Sequence, residues 1–242
     1  HRAFNRSYPE AERTMREVCR HLEAAEEHLP TGERLTARRF RTVGIELRRE
    51  GGFATLASLL ESPFHPNGRL RTDFLASVGQ RVSFAANPLY AAIHESIYGG
   101  TVPGATNWSA ERVSRSIAGF GPDASPDDEE FYLTGEHVFP FQFDEDPALR
   151  PFKGAANALA AKDDWGNQYA GLIDGAAAHE AAGGRRVAAV YTDDIFVPRE
   201  LSLATADALS VSVWETATYQ HDGLRRHGTE VIGRLLEMAA QR

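Results

Sequence analysis

Two places in the chain put a side chain able to handle a proton where a strand should end. Arg186 to Thr192 is a short apolar, β-prone run that stops at Asp193-Asp194-Ile195-Phe196-Val197-Pro198. A second β-prone run, Val211 to Tyr219, leads into Gln220-His221-Asp222-Gly223. An acid after one strand and a histidine after the next suit a relay. The carboxylate fixes the imidazole tautomer, and the imidazole takes a proton from a nucleophile. The nucleophile that would complete the order Ser…Asp…His is missing. No G-x-S-x-G occurs among the 242 residues, and the first of them is His1. The expectation is the later part of a serine hydrolase whose front end lies outside this sequence.

The elements that must hold these residues divide at about residue 150. Before it the pattern is helical. Ser7 and Glu10 have capping-box spacing, followed by Ala11, Met15, Val18, Leu22 and Ala25 at intervals of three or four. Thr36 is placed to cap a helix through Phe40, Val43 and Leu47 that ends at Gly51-Gly52, and Phe53 to Leu60 suggests another. Asn87-Pro88 opens a helix carrying Leu89, Ala92, Ile93 and Ile97, and Ser109 can cap one carrying Val113 and Ile117. No strand alternation is evident before about residue 130. From Pro151 to Lys162 an Ala-rich helix is expected, then a loop from Asp163 to about Gly184. After it come strand, Asp-Asp turn, helix (201–209), strand, His loop and a last helix (228–240). Strand–helix–strand order predicts parallel α/β topology, with active residues beyond the carboxyl ends of the strands.

Bulk composition excludes more than it selects. Hydrophobic residues make up 42%, enough for a core, and no apolar run is long enough to span a bilayer. A net charge of −8 argues against nucleic acid as a partner. Cys19 is the single cysteine, so no internal disulfide forms, and a cytoplasmic setting is expected. His94-Glu95-Ser96-Ile97-Tyr98 imitates a zinc H-E-x-x-H helix but has Tyr98 in place of the second ligand. The other histidines lack ligand spacing. No metal and no cofactor are expected.

Several blocks resemble prolyl aminopeptidases, also called proline iminopeptidases. They are Phe84 to Tyr98 (FAANPLYAAIHESIY), Leu133 to Pro140 (LTGEHVFP), Asp146 to Pro151 (DPALRP), Val190 to Val197 (VYTDDIFV) and Tyr219 to Arg225 (YQHDGLR). They follow in order along nearly the whole chain. The resemblance implies an α/β fold, the C-terminal part of an α/β-hydrolase core (151–242) preceded by a mostly helical cap (1–150). It also implies release of an N-terminal proline from peptides through an acyl-enzyme. His221 would be the base. Asp194 would be its acid, because Asp194 to Pro198 fits the D-x-x-V-P turn common after this strand; Asp193 stays open as the alternative. Glu95 and Glu136 would receive the cationic imino group, with Tyr98 and Phe139 beside them; Phe139, Phe141 and Phe143 would wall the ring pocket, with ordinary packing between cap and core the open alternative for each. A lone Glu such as Glu95, on a helix whose other face is apolar, ordinarily faces solvent, so composition alone does not single it out. The remaining partner would be the missing N-terminal part of the same hydrolase, and the isolated chain would be inactive. Another cap-bearing hydrolase (an esterase or epoxide hydrolase) and a non-catalytic helical binding module are the alternatives.

Overall fold

A computed structural model of the chain describes residues 1–100, 103–166, 168–181 and 184–240. They form two compact units, one of His1–Leu47 with Phe53–Trp165, the other of Arg48–Gly52 with Gly166–Arg242. Among the described residues the fold mixes thirteen α-helices with two two-stranded sheets, compatible with α/β-hydrolase ancestry. The first unit runs to Trp165, and the helix Lys153–Ala160 buries Ala156 in one of its cores.

In the first unit the helix Pro9–Ala24 buries Ala11, Met15, Val18, Cys19 and Leu22, the stripe expected from their spacing. The Ser7–Glu10 capping box does not form. Ser7 ends a separate short helix, Arg2–Ser7, and Pro9 starts the next, its missing N–H costing nothing at that position. Thr36 caps Ala37–Arg41 as expected, its hydroxyl accepting the Arg39 N–H at 3.2 Å. The chain then tightens into a 3-10 helix, Thr42–Arg48. Here Gly44 lies against the 133–134 backbone so closely that a Cβ would come within 2.2 Å of the Thr134 carbonyl oxygen. A helix that the sequence reading did not single out, Thr72–Val82, buries Phe74, Leu75, Val78 and Val82.

This mostly helical stretch also holds two short strands. β1 (Glu27–His28) and β2 (Arg34–Leu35) pair antiparallel around a turn with Gly32 at φ 99°, and Phe64 bridges Leu70. Two-residue strands leave no alternation to read. Glu27 locks them in place. It is 2% exposed and accepts from Arg69 Nη2 at 2.8 Å and the Leu70 N–H at 3.2 Å, with His21 Nε2 at 2.7 Å. Burial alone would raise its pKa, but these partners outweigh burial and bring it down to about 2.

A second core of this unit joins Ala91, Val138, Phe143, Leu149 and Ala156. The buried Arg39 guanidinium, between Glu33 and Asp146 at 3.3 Å each, ties the first helices to this region. Asp146 also accepts the Phe84 N–H at 2.8 Å, fixing the start of the 84–98 segment.

In the second unit β3 (Val187–Tyr191) and β4 (Ser212–Thr216) are parallel, in register from Val187 opposite Ser212 to Tyr191 opposite Thr216. The helix Arg199–Ala208 makes the crossover that parallel pairing requires. β4 stops short of Tyr219 because the Thr216 hydroxyl accepts the Thr218 N–H at 3.1 Å and turns the chain. The final helix runs Gly228–Ala240. The loop expected over 163–184 is largely a helix instead, Gln168–Ala181. Gly171 and Gly175 lower its propensity, and its apolar residues form no stripe that marks it.

Candidate active site

The turn after β3 and the loop after β4 place Asp194 and His221 side by side. His221 Nδ1 lies 2.9 Å from Asp194 Oδ2. The other carboxylate oxygen, Oδ1, accepts the N–H of Phe196 at 2.8 Å and of Val197 at 3.1 Å. This is an Asx turn, so the acid is held by its own backbone. Its side chain is 7% exposed, while that of His221 is 42% exposed. The Phe196 ring sits 4.6 Å from the imidazole. With a hydrogen on Nδ1 directed at the carboxylate, Nε2 is the nitrogen left to accept a proton. Asp193 is exposed and takes no part in this set.

A different constellation gathers in the first unit, on the helix Pro88–Ile93, the 3-10 helix His94–Tyr98 and the 134–141 segment. Glu95 is 2% exposed. Its Oε1 accepts the Ser109 N–H at 2.7 Å, while Oε2 is buried without a hydrogen-bond partner among the described residues. Glu136 Oε1 accepts the Tyr90 hydroxyl at 2.6 Å. The Tyr98 hydroxyl lies 2.9 Å from His137 Nδ1. The rings of Tyr90, His94 and Tyr98 follow one another at 5.1 and 6.1 Å. Burial, with the charges of Glu95 and Glu136 adding to it, pushes the Tyr98 hydroxyl up to about 12, so it stays a donor. Burial also lowers the pKa of His94 and of His137, against the pull of Glu136, so both favour the neutral form.

The orientation of this segment departs from the sequence expectation at Leu89, Ile93 and Ile97 and keeps it at Ala92. Leu89, Ile93 and Ile97 are about three-fifths exposed, whereas Ala91, Ala92, His94 and Glu95 are buried. The small Ala91 lets the backbone approach the second core, and His94 and Glu95 turn inward with it, while Tyr90 stays exposed. Phe143 also departs from the expected pocket wall. It is fully buried, packed against Trp108 at 5.6 Å, and belongs to the core. Phe139 and Phe141 stack at 5.7 Å and border a cavity of about 70 Å³ together with Thr134 and Pro140.

The sequence reading passed over Tyr90, His94 and His137 as site residues. The i, i+4 spacing of Tyr90, His94 and Tyr98 was the available signal, since it stacks the three rings on one helix face. Ser109, expected as a helix cap, instead offers its main-chain N–H to Glu95 from the first turn of Ser109–Ser114. Among the described residues no group of three or more His, Cys, Asp or Glu side chains suits a metal ion, and no helix is long and apolar enough to cross a membrane.

No family model matches the chain. It is 35% identical over 239 residues to a proline iminopeptidase of Aeromonas sobria, covering 98% of this chain and 53% of that protein. It is also 22% identical over 246 residues to the proline iminopeptidase aneH of Aspergillus aculeatus, covering 99% of this chain and 52% of that protein. The chain thus spans about half the length of the relatives it matches. Along nearly all its residues this chain is a homologue of a proline iminopeptidase.

Proposed function

We propose that the chain supplies the acid, the base and the amine-recognition carboxylates of a serine exopeptidase that releases N-terminal proline from peptides. The observation that carries the reading is the 2.9 Å contact of His221 Nδ1 with Asp194. The serine comes from a segment outside these 242 residues, and His221 Nε2 removes its proton as its oxygen attacks the prolyl carbonyl carbon. The C–N bond then breaks, His221 returns the proton to the leaving amine, and water releases proline from the acyl-enzyme in a second round. Asp194 stabilises the imidazolium formed in each round.

On this reading the helical unit is a cap and the 166–242 unit the later part of the hydrolase core. Glu95 and Glu136 receive the protonated imino nitrogen. An unpartnered, buried Glu95 oxygen has a strong claim on a cationic donor, because leaving it unmatched is expensive. An esterase or epoxide hydrolase has no cation to place there.

The test is turnover of proline β-naphthylamide by a polypeptide that joins these residues to the nucleophile-bearing segment. Release of proline, lost in Asp194→Asn and His221→Ala, is expected, as is no turnover by residues 1–242 alone. Sustained hydrolysis by the 242 residues alone would overturn the proposal, which draws its nucleophile from outside them because no G-x-S-x-G occurs among them.

A further inference from the structure

The loop that carries His221 is fastened at the residue next to it. Asp222 Oδ1 accepts the main-chain N–H of Glu50 at 3.2 Å, and Oδ2 accepts from Arg226 Nε at 2.6 Å. Glu50 is held a second time, its Oε2 lying 2.8 Å from His227 Nε2. His227 in turn donates its N–H to the Gly223 carbonyl at 2.8 Å and packs its ring on Tyr219 at 5.1 Å. Asp222, Glu50, His227 and Gly223 therefore form a closed circuit of contacts beside His221. Gly223 has no room for a side chain, because a Cβ would lie 2.6 Å from the Tyr219 Cβ and 3.0 Å from the Tyr191 ring. Tyr219, two residues before His221, is 4% exposed. The sheet supplies little of this restraint, since β4 has already ended at Thr216.

We propose that Asp222 is a positioning residue for His221, acting by clasping the main chain of the 48–52 segment. The inference rests on the reading of His221 as the general base. Asp194 orients the imidazole ring, and Asp222 fixes the backbone from which that ring projects. Asp222 touches no reacting atom. Its two oxygens are spent on Glu50 and Arg226, with 17% of the side chain exposed. An Asn in its place keeps an acceptor for the Glu50 N–H, whereas an Ala removes both contacts.

The test follows the His221 Nδ1 proton by nitrogen-15 NMR of the imidazole in the 242-residue chain and needs no turnover, so it stands apart from the peptidase reading. In the wild type that proton is expected to be protected by its bond to Asp194, and in Asp222→Asn, which keeps the acceptor for the Glu50 N–H and gives up only the Arg226 contact, its exchange should rise no more than about threefold. In Asp222→Ala its exchange should rise about tenfold or more while the β3 and β4 amides keep their protection, the pattern of a local opening. Should Asp222→Ala fail to fold, Arg226→Gln, at an exposed position, is expected to raise the exchange about threefold by freeing one oxygen of the clasp. Exchange in Asp222→Ala or, failing that, in Arg226→Gln equal to wild type would overturn the proposal, as would Asp222→Asn behaving like Asp222→Ala.

Discussion

Asp194 and Glu95 are both carboxylates largely withheld from water, and they got there by opposite routes. Asp194 is held by neighbours two and three residues along the chain and by a histidine at the end of the adjacent strand. All its contacts are spent. Glu95 is held by Ser109 from another helix and keeps one oxygen unmatched. The units around them differ in the same sense. The first contains two buried hydrophobic clusters. In the second, the buried hydrophobic side chains among the described residues are Val190, Ala206, Tyr219 and Val231. A dyad can thus be set by turn chemistry on a thin scaffold, whereas an unsatisfied buried carboxylate needs a packed one.

The largest effect that would break this contrast is on chemistry. Asp194→Asn should lower kcat about 10⁴-fold in the assembled enzyme by offering His221 the wrong tautomer. Asp193→Asn should change it less than about twofold, because exposed substitutions away from the site rarely matter. Equal losses in the two variants would remove the distinction drawn between the paired acids.

Next in size is packing. Phe143→Ala should cost the first unit about 3–5 kcal/mol in chemical denaturation, the usual result for truncating a buried aromatic. Val190→Ala should cost the second unit only about 1–2 kcal/mol, because its surroundings are already partly open. A larger loss at Val190 than at Phe143 would invert the ranking of the two scaffolds.

Acid stability sharpens the same point. The folded pKa of Glu27 is about 2, below the ordinary 4.5. Its contribution is therefore complete above pH 4.5 and is lost as pH falls toward 2. Because Arg69 is well exposed, the contribution is discounted to about 2 kcal/mol. Urea midpoints should drop over that window in the wild type, and Glu27→Gln should flatten the drop.

What could be read from the sequence follows the same division between local and distant causes. The Asp194 turn, the Thr36 cap and the 228–240 helix are fixed by residues within a few positions, and their spacing announces them, whereas the His221 loop is also fastened to the distant Glu50. Glu95 is held inward by the Ser109 N–H, and its neighbours Tyr90 and Tyr98 are met by Glu136 and His137. Read alone, the helix presents Leu89, Ile93 and Ile97 as its buried stripe, yet those three are exposed. Helix Gln168–Ala181 was hidden by its glycines, and the two-residue strands β1 and β2 were too short for any periodicity. Glu95 came forward only through the resemblance of its block to a family.

The claim put to the most direct test is the proposal that Glu95, with its buried unmatched oxygen, receives the cationic imino nitrogen of the substrate. The direct measurement is kcat/KM of the assembled enzyme and its Glu95→Gln variant on proline β-naphthylamide and on its N-acetylated form. The free imino substrate should lose about 10- to 100-fold in Glu95→Gln, the worth of a hydrogen bond to a charged group, while the weak turnover of the blocked substrate stays unchanged. Equal kcat/KM for wild type and Glu95→Gln on the free substrate would contradict the account.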